Sequence, residues 1–185
     1  MTYRERAVDS PNKSLNNTHR GWLGMHPART MLMHILLGTD GSSHAIAAAA
    51  RALELLAPAD TLTLLAVAPT PAIAFQGFES GFAGGMASTA DVEAALKGSE
   101  VEARAALAAT VSALQSSPQR GTLHQLVETG EPGALLCRLA IDLKVDVVVV
   151  GSRGRGVVKR ALLGSVSTYV THHAVCPVLV VPSKA

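Results

Sequence analysis

Apolar residues along the chain fall into short runs separated by longer segments of helical period. Ile35 to Leu37, Thr61 to Val67, Thr122 to Glu128, Val145 to Val150 and Pro177 to Val181 read as strands. Thr122 to Glu128 alternates apolar and polar positions, as a half-buried strand does. Val145 to Val150 is rich in valine, which suits a strand buried on both faces. Between these runs lie four helical segments. Ser42 or Ser43 caps an Ala-rich helix over His44 to Ala57, which Pro58 and Asp60 end. Thr89 caps a second helix reaching about Gln115, with an apolar stripe through Val92, Ala95, Leu96, Val101, Ala105, Leu107, Ala108, Val111 and Leu114. Gly98 weakens it locally, and Ser116-Ser117-Pro118 breaks it. Ala134 to Leu143 forms a third helix with Pro132 suited to its first turn, and Val166 to His173 a fourth. Strands alternating with helices predict parallel pairing, right-handed crossovers and ligand binding at the carboxyl ends of the strands.

Composition narrows this picture. The 185 residues suit one domain, and 48% hydrophobic residues supply a full core. Only 3% are aromatic, so the core is aliphatic and a stacking platform for single-stranded nucleic acid is not expected. A net charge of +2 is too small to indicate a nucleic-acid partner. Cys137 and Cys176 match no metal or redox spacing and read as small buried hydrophobes. No apolar run approaches the ~20 residues of a membrane span, and residues 1–31 hold no continuous apolar signal region. The expectation is a cytoplasmic protein without a membrane partner. Residues 1–31 read as a poorly ordered extension before a domain over 32–185. Residues 69–88 form a long flexible loop that carries all three phenylalanines, Phe75, Phe78 and Phe82.

Candidate chemistry concentrates between Gly151 and Ser167. After the valine strand the chain becomes Gly-rich and cationic, and no acid occurs from Gly151 onward. Gly151 ends the strand where a missing Cβ would let a ligand lie against the backbone. Gly154 is placed to make a left-handed turn. Gly164 precedes a helix start, so the amides of Ser165, Val166 and Ser167 are unpaired first-turn donors at the positive end of the helix dipole. Arg153, Arg155, Lys159 and Arg160 are available to neutralise phosphates. Strand, glycine loop and helix start together predict an anion site, most naturally for phosphate.

Other motif classes do not fit this stretch. A Gly-x-Gly-x-x-Gly fingerprint, a P-loop and a Gly-x-Ser-x-Gly nucleophile turn are all missing from the sequence. His172 and His173 are adjacent on a helix and make a poor metal pair. The spacing that is present, Gly151-x2-Gly154-x9-Gly164-Ser165, resembles the nucleotide signature of the universal stress protein family. Ile35-Leu-Leu-Gly-Thr-Asp40-Gly41-Ser42 is similar to the family's first strand and turn. Leu163-Gly-Ser-Val-Ser167 and Cys176-Pro-Val-Leu-Val-Val181 are similar to its closing helix and last strand.

This resemblance implies the ATP-binding branch of the family. The expected fold is a single doubly wound α/β domain, with a five-stranded parallel sheet in the order 3-2-1-4-5 and helices on both faces. By resemblance, Gly38, Thr39 and Asp40 approach the nucleoside, and the backbone at Val67 meets the adenine edge. Gly151, Gly154, Gly164, Ser165, Val166 and Ser167 hold ribose and phosphates. Arg153 joins the set on charge alone. Asp40 is the carboxylate nearest to any Mg or Mn carried by ATP. The resemblance also implies a homodimer formed through the last strand. A nucleotide-responsive regulator in stress response is expected rather than a metabolic enzyme, because no catalytic base, nucleophile or carboxylate pair stands at a convincing spacing. Slow ATP hydrolysis or autophosphorylation is compatible with that expectation. The alternatives are an ATP-using enzyme with adenylating activity, and an adaptor that keeps ATP as a structural ligand.

Overall fold

The structure, a computed structural model, describes residues 33–56, 59–70, 88–115, 121–154 and 163–182. The expectations for residues 1–31, for the three phenylalanines and for Arg155, Lys159 and Arg160 lie outside the described residues. Nine elements follow one another: β1 His34–Thr39, α1 Ser43–Leu55, β2 Thr61–Ala68, α2 Thr89–Leu114, β3 Thr122–Thr129, α3 Pro132–Asp142, β4 Val147–Gly151, α4 Ser165–His173 and β5 Val178–Val181. The strands form one sheet in the order β3-β2-β1-β4-β5, with every neighbouring pair parallel.

Central strand β1 explains its own sequence. Ile35 lies opposite Leu62 on one side and Val147 on the other, and Leu37 opposite Leu64 and Val149. Ile35 and Leu37 pack with Ala48, Ala49 and Ala52 of α1 and with Ala103, Leu107 and Leu114 of α2. Leu36 turns the other way, into a second core with Leu136 and Ala140 of α3 and Val170 of α4. Helices cover both faces, so consecutive residues are buried on alternate sides and the strand interior, Ile35 to Leu37, is an unbroken apolar run.

Local chemistry sets the element ends. The Ser42 hydroxyl accepts the Ala45 N–H at 3.1 Å and caps α1. Helix α2 starts one residue earlier than its sequence suggests: Ser88 is the cap, and it exchanges hydrogen bonds with Asp91. Those bonds favour the ionised carboxylate and hold Asp91 below the usual carboxylate range. Strand β4 begins at Val147 rather than Val145, and α4 at Ser165 rather than Val166.

The apolar stripe of α2 is also displaced from its expected position. Ala103, Ala106, Leu107, Thr110 and Leu114 face inward, whereas Val101 is 66% exposed and Ala105 and Ala108 are exposed. The cause is close packing against the turn after β1. Gly41 leaves that strand at φ +73°, and a Cβ there would lie 2.5 Å from Ala106 Cα. Helix and turn approach closely only with a small residue between them, so Ala106 faces Gly41 while Leu107 and Leu114 fill the core.

At the opposite end of the sheet, the His34 ring pairs with Thr63 Oγ1 at 2.8 Å. Burial pushes its pKa down, and nearby His124 adds to that shift. A hydrogen bond with the Leu143 carbonyl and the charge of Asp146 oppose it. The net shift is downward, so the folded protein favours the neutral ring.

Two outcomes follow from these contacts. Gly41→Ala should lower the unfolding free energy by about 2 kcal/mol or more, because a left-handed non-glycine residue and a backbone clash act together; urea denaturation reads it. A depressed folded-state pKa at His34 contributes stability that is present above the unfolded pKa of about 6.5 and lost as pH falls. The stability gap between the native protein and His34→Gln should therefore narrow from pH 7.5 to pH 5.5, and a constant gap would contradict it.

Candidate functional site

Strand β1 is followed by a crossover toward β2 on one side, and β4 by a connection toward β5 on the other. The order of the sheet thus reverses between β1 and β4, and a crevice opens outside their carboxyl ends. Here lies a cavity of about 190 Å³. Its lining includes all eleven residues named from the sequence: Gly38, Thr39, Asp40, Val67, Gly151, Arg153, Gly154, Gly164, Ser165, Val166 and Ser167. Ala45, Leu65, Pro132, Leu136 and Val150 also line it. These five could not be singled out beforehand, because small and apolar residues on regular elements carry no chemical signal. They give the cavity an apolar side, while Asp40, Arg153 and the α4 start give it a polar side.

The β1 wall is a tight turn. Thr39 Oγ1 lies 2.8 Å from Thr110 Oγ1, and both residues are buried. Thr110 donates its single hydroxyl proton to the Ala106 carbonyl at 2.9 Å. Thr39 must therefore donate to Thr110, and its oxygen accepts the Gly41 N–H at 3.1 Å. The Thr39 hydroxyl proton is thus committed to α2 rather than offered to the cavity. Asp40 Oδ1 accepts the Ser42 N–H at 3.0 Å, which orients the carboxylate across the turn.

On the opposite wall, two expectations about glycine need correcting. Among the described residues the positive-φ glycines are Gly41 and Gly130, so Gly154 does not make a left-handed turn. It is constrained instead by proximity, since a Cβ there would stand 2.8 Å from Asp40 Oδ2. Gly151 lines the cavity, but the space left by its missing Cβ does not face a ligand. That position faces the Arg153 carbonyl at 3.2 Å and Ala48 Cβ at 3.6 Å. Glycine at 151 lets α1 and the loop close on the strand end.

Ser152 ties this loop together, and sequence reasoning missed it. Its N–H donates to the Val181 carbonyl at 2.8 Å, joining the ends of β4 and β5. Its carbonyl accepts the Gly164 N–H at 2.8 Å and the Ser167 hydroxyl at 3.2 Å. The Ser167 hydroxyl also reaches the Gly164 carbonyl at 3.0 Å, so this buried side chain anchors α4 from within.

Helix α4 therefore begins immediately beside the end of β4. Gly164 is its N-cap, and no side chain caps it or places an acid in the first turn. The N–H groups of Ser165, Val166 and Ser167 have no acceptor one turn back by helix geometry, and Ser165 is exposed. Helices α1 and α2, by contrast, satisfy their first turns with serine caps. The α4 start thus combines unpaired first-turn donors, the positive end of a helix dipole and adjacent Arg153.

Val67 contributes main chain. The Thr61 N–H bonds to Met33 on the β1 side, and the Ala68 carbonyl accepts from Gly130 beyond β3. Alternation along β2 then directs the Val67 carbonyl toward β1. The β1–β2 register stops at Thr39 opposite Ala66, and the Gly41 N–H is turned to Thr39 Oγ1. The Val67 carbonyl stands at the open end of the ladder, beside the cavity.

Among the described residues, the other titratable groups lie outside the cavity lining. His173 stacks on Tyr169 with ring centroids 4.1 Å apart and bonds to the Tyr169 carbonyl through Nδ1. No cluster of three metal-ligating side chains occurs among the described residues. Cys137 and Cys176 are free thiols whose pKa values burial pushes up, which disfavours the reactive thiolate.

Comparison with known proteins places this geometry in a family. The Universal stress protein family model matches residues 31–182. The chain is 34% identical over 153 residues to the universal stress protein in the QAH/OAS sulfhydrylase 3'region of Thermus aquaticus, covering 82% of this chain and 99% of that protein. It is 50% identical over 54 residues to universal stress protein Slr1101 of Synechocystis, where the match spans 29% of this chain and 50% of the relative. Among solved structures, universal stress protein UspA from Lactobacillus plantarum superposes with a TM-score of 0.62 at 25% identity, over 81% of this chain and 97% of that one. A universal stress protein family protein from Arabidopsis thaliana, solved with AMP bound, shares the fold with a TM-score of 0.56 at 20% identity, over 83% of this chain and 93% of its own. The model match over most of the chain and the full-length Thermus relative show that this chain belongs to the universal stress protein family.

Proposed function

We propose that the crevice between β1 and β4 binds an adenine nucleotide, with ATP the species that best uses its polar side. The observation that carries this reading is the uncapped α4 start, set beside Gly154 and Arg153 and across from an apolar wall. A triphosphate suits the first-turn amides of Ser165, Val166 and Ser167, with Arg153 as counter-charge. The base suits the apolar side formed by Leu65, Val67, Leu136 and Val150. The Val67 carbonyl is an acceptor for an exocyclic amine, and guanine presents a carbonyl at the corresponding position. That contrast supports adenine. AMP in the Arabidopsis structure supports the same ligand class.

A cavity of about 190 Å³ is smaller than common ligand pockets, so a nucleotide would seat its base and sugar inside and leave part of its phosphate chain toward solvent. Asp40 is the carboxylate in the lining, and one carboxylate is a partial ligand set for Mg. An ion carried by ATP would take its other ligands from phosphates and water. Gly38 and Gly151 supply backbone surface, and Gly154 keeps the space between Asp40 and the loop open.

Among the described residues the cavity lining contains no histidine or cysteine, and a regulator that senses nucleotide is the reading we adopt. Its setting would be the cytoplasm, in the response to stress. No helix among the described residues is long and apolar enough to cross a membrane.

Strand β5 lies at the sheet edge with three of its four residues partly exposed, which leaves one row of main-chain groups available to a second copy. That edge supports a homodimer through β5. Sedimentation equilibrium should then give twice the 19.1 kDa chain mass, and a monomer at all concentrations would contradict it.

Mass spectrometry of nucleotide released from the denatured protein, followed by calorimetric titration with ATP, AMP, cyclic AMP and GTP, tests the ligand. Adenine nucleotides should bind and GTP should not. Gly154→Val should weaken ATP binding about tenfold or more while the protein stays folded, because its side chain would press on Asp40 and fill the phosphate approach. Unchanged ATP affinity in a folded Gly154→Val protein would remove the loop from the site.

A further inference from the structure

We propose that Thr110, on α2 and outside the cavity, is a positioning residue that sets the Asp40 wall of the nucleotide site through Thr39. This inference rests on the adenine-nucleotide reading of the crevice.

The route is continuous in hydrogen bonds and close contacts. Thr110 is fully buried and donates to the Ala106 carbonyl, so it must accept from Thr39 across 2.8 Å. Thr39 in turn accepts the Gly41 N–H at 3.1 Å. Gly41 is pressed against Ala106, the residue whose carbonyl takes the Thr110 proton. Asp40 stands between Thr39 and Gly41, and its carboxylate extends toward Gly154 at the mouth of the phosphate approach. Two α2 residues one helical turn apart thus fix both sides of Asp40.

A valine would fill the Thr110 site with the same shape and require no partner. A threonine in a fully buried place costs desolvation unless its hydroxyl is bonded. Here that hydroxyl is the acceptor that sets the direction of the Thr39 proton. Without it, the Thr39 hydroxyl is free to rotate away from the Gly41 N–H, and Asp40 keeps its Ser42 bond but loses the support of the turn on its Thr39 side. Thermodynamic reciprocity adds a consequence: a nucleotide that engages Asp40 should also steady α2. Helix α2 would then be a sensor of occupancy and not only a cover for the sheet.

The test is ATP titration of the full chain and of Thr110→Val and Thr110→Ser, each also in an Asp40→Ala background. Thr110→Val should weaken ATP binding about fivefold or more, in line with loss of one buried hydrogen bond, while Thr110→Ser should stay within about twofold of the native chain. With Asp40 already removed, Thr110→Val should add less than about a twofold loss. Native affinity in Thr110→Val, or an equal loss in both backgrounds, would overturn the proposal. Should Thr110→Val fail to fold, Thr110→Ala removes the same hydroxyl and is read in the same way. If the native chain binds no adenine nucleotide, the ligand reading fails instead, and amide exchange tests the positioning by itself. The Gly41 and Ser42 amides should then exchange faster without the Thr110 hydroxyl than with Thr110→Ser; unchanged exchange overturns the inference.

Discussion

A parallel sheet covered on both faces leaves its unsatisfied main-chain groups only at the strand ends and along its two outer edges. That constraint organises this protein. Along β1, β2 and β4 the apolar side chains alternate between two helical layers, and the ladder satisfies the backbone. Where β1 and β4 part, the ladder stops and polar backbone must find other partners. The chain answers differently on each wall. Thr39 and Asp40 take up the amides of their own turn, the Ser152 carbonyl draws in the start of α4, and the first-turn amides of α4 remain for something else. The site is a consequence of how the sheet ends.

Long-range contacts give this crevice its shape. Gly41 meets Ala106, Thr39 meets Thr110, and Gly154 meets Asp40, each across a large separation in sequence. Such pairs couple the two layers: α2 belongs to one face of the sheet, and α4, which presents the anion-binding amides, to the other. Asp40 sits between them. A ligand spanning the crevice would touch groups positioned by both layers, which is a physical route from occupancy to the outer surface of α2.

Much of this was legible in the sequence because it rests on local rules. Apolar runs at Ile35–Leu37 and Val145–Val150, the Ser42 cap and the Pro132 helix start all depend on near neighbours in the chain. The strand order and the residues around the crevice came from the glycine spacing and the family it resembles. Contacts between distant segments were not legible. The α2 stripe read from the sequence placed Leu107 and Leu114 correctly but included Val101, Ala105 and Ala108, whereas the helix turns Ala103, Ala106 and Thr110 inward, with Ala106 against Gly41. Gly154 looked like a left-handed turn because glycine often is one, but its neighbour Asp40 lies over a hundred positions away in sequence and is what excludes a side chain. Ser152 carried no signal because its backbone, rather than its side chain, joins β4, β5 and α4.

We propose that the open amides at the start of α4 receive the phosphates of an adenine nucleotide. Titration of ATP into the 15N-labelled protein, followed by amide resonances, tests it most directly. The largest shifts should fall on Ser165, Val166 and Ser167, with Gly154 and Val67 also affected. Saturable binding that leaves the α4 amides unmoved, with shifts confined to another surface, would contradict it.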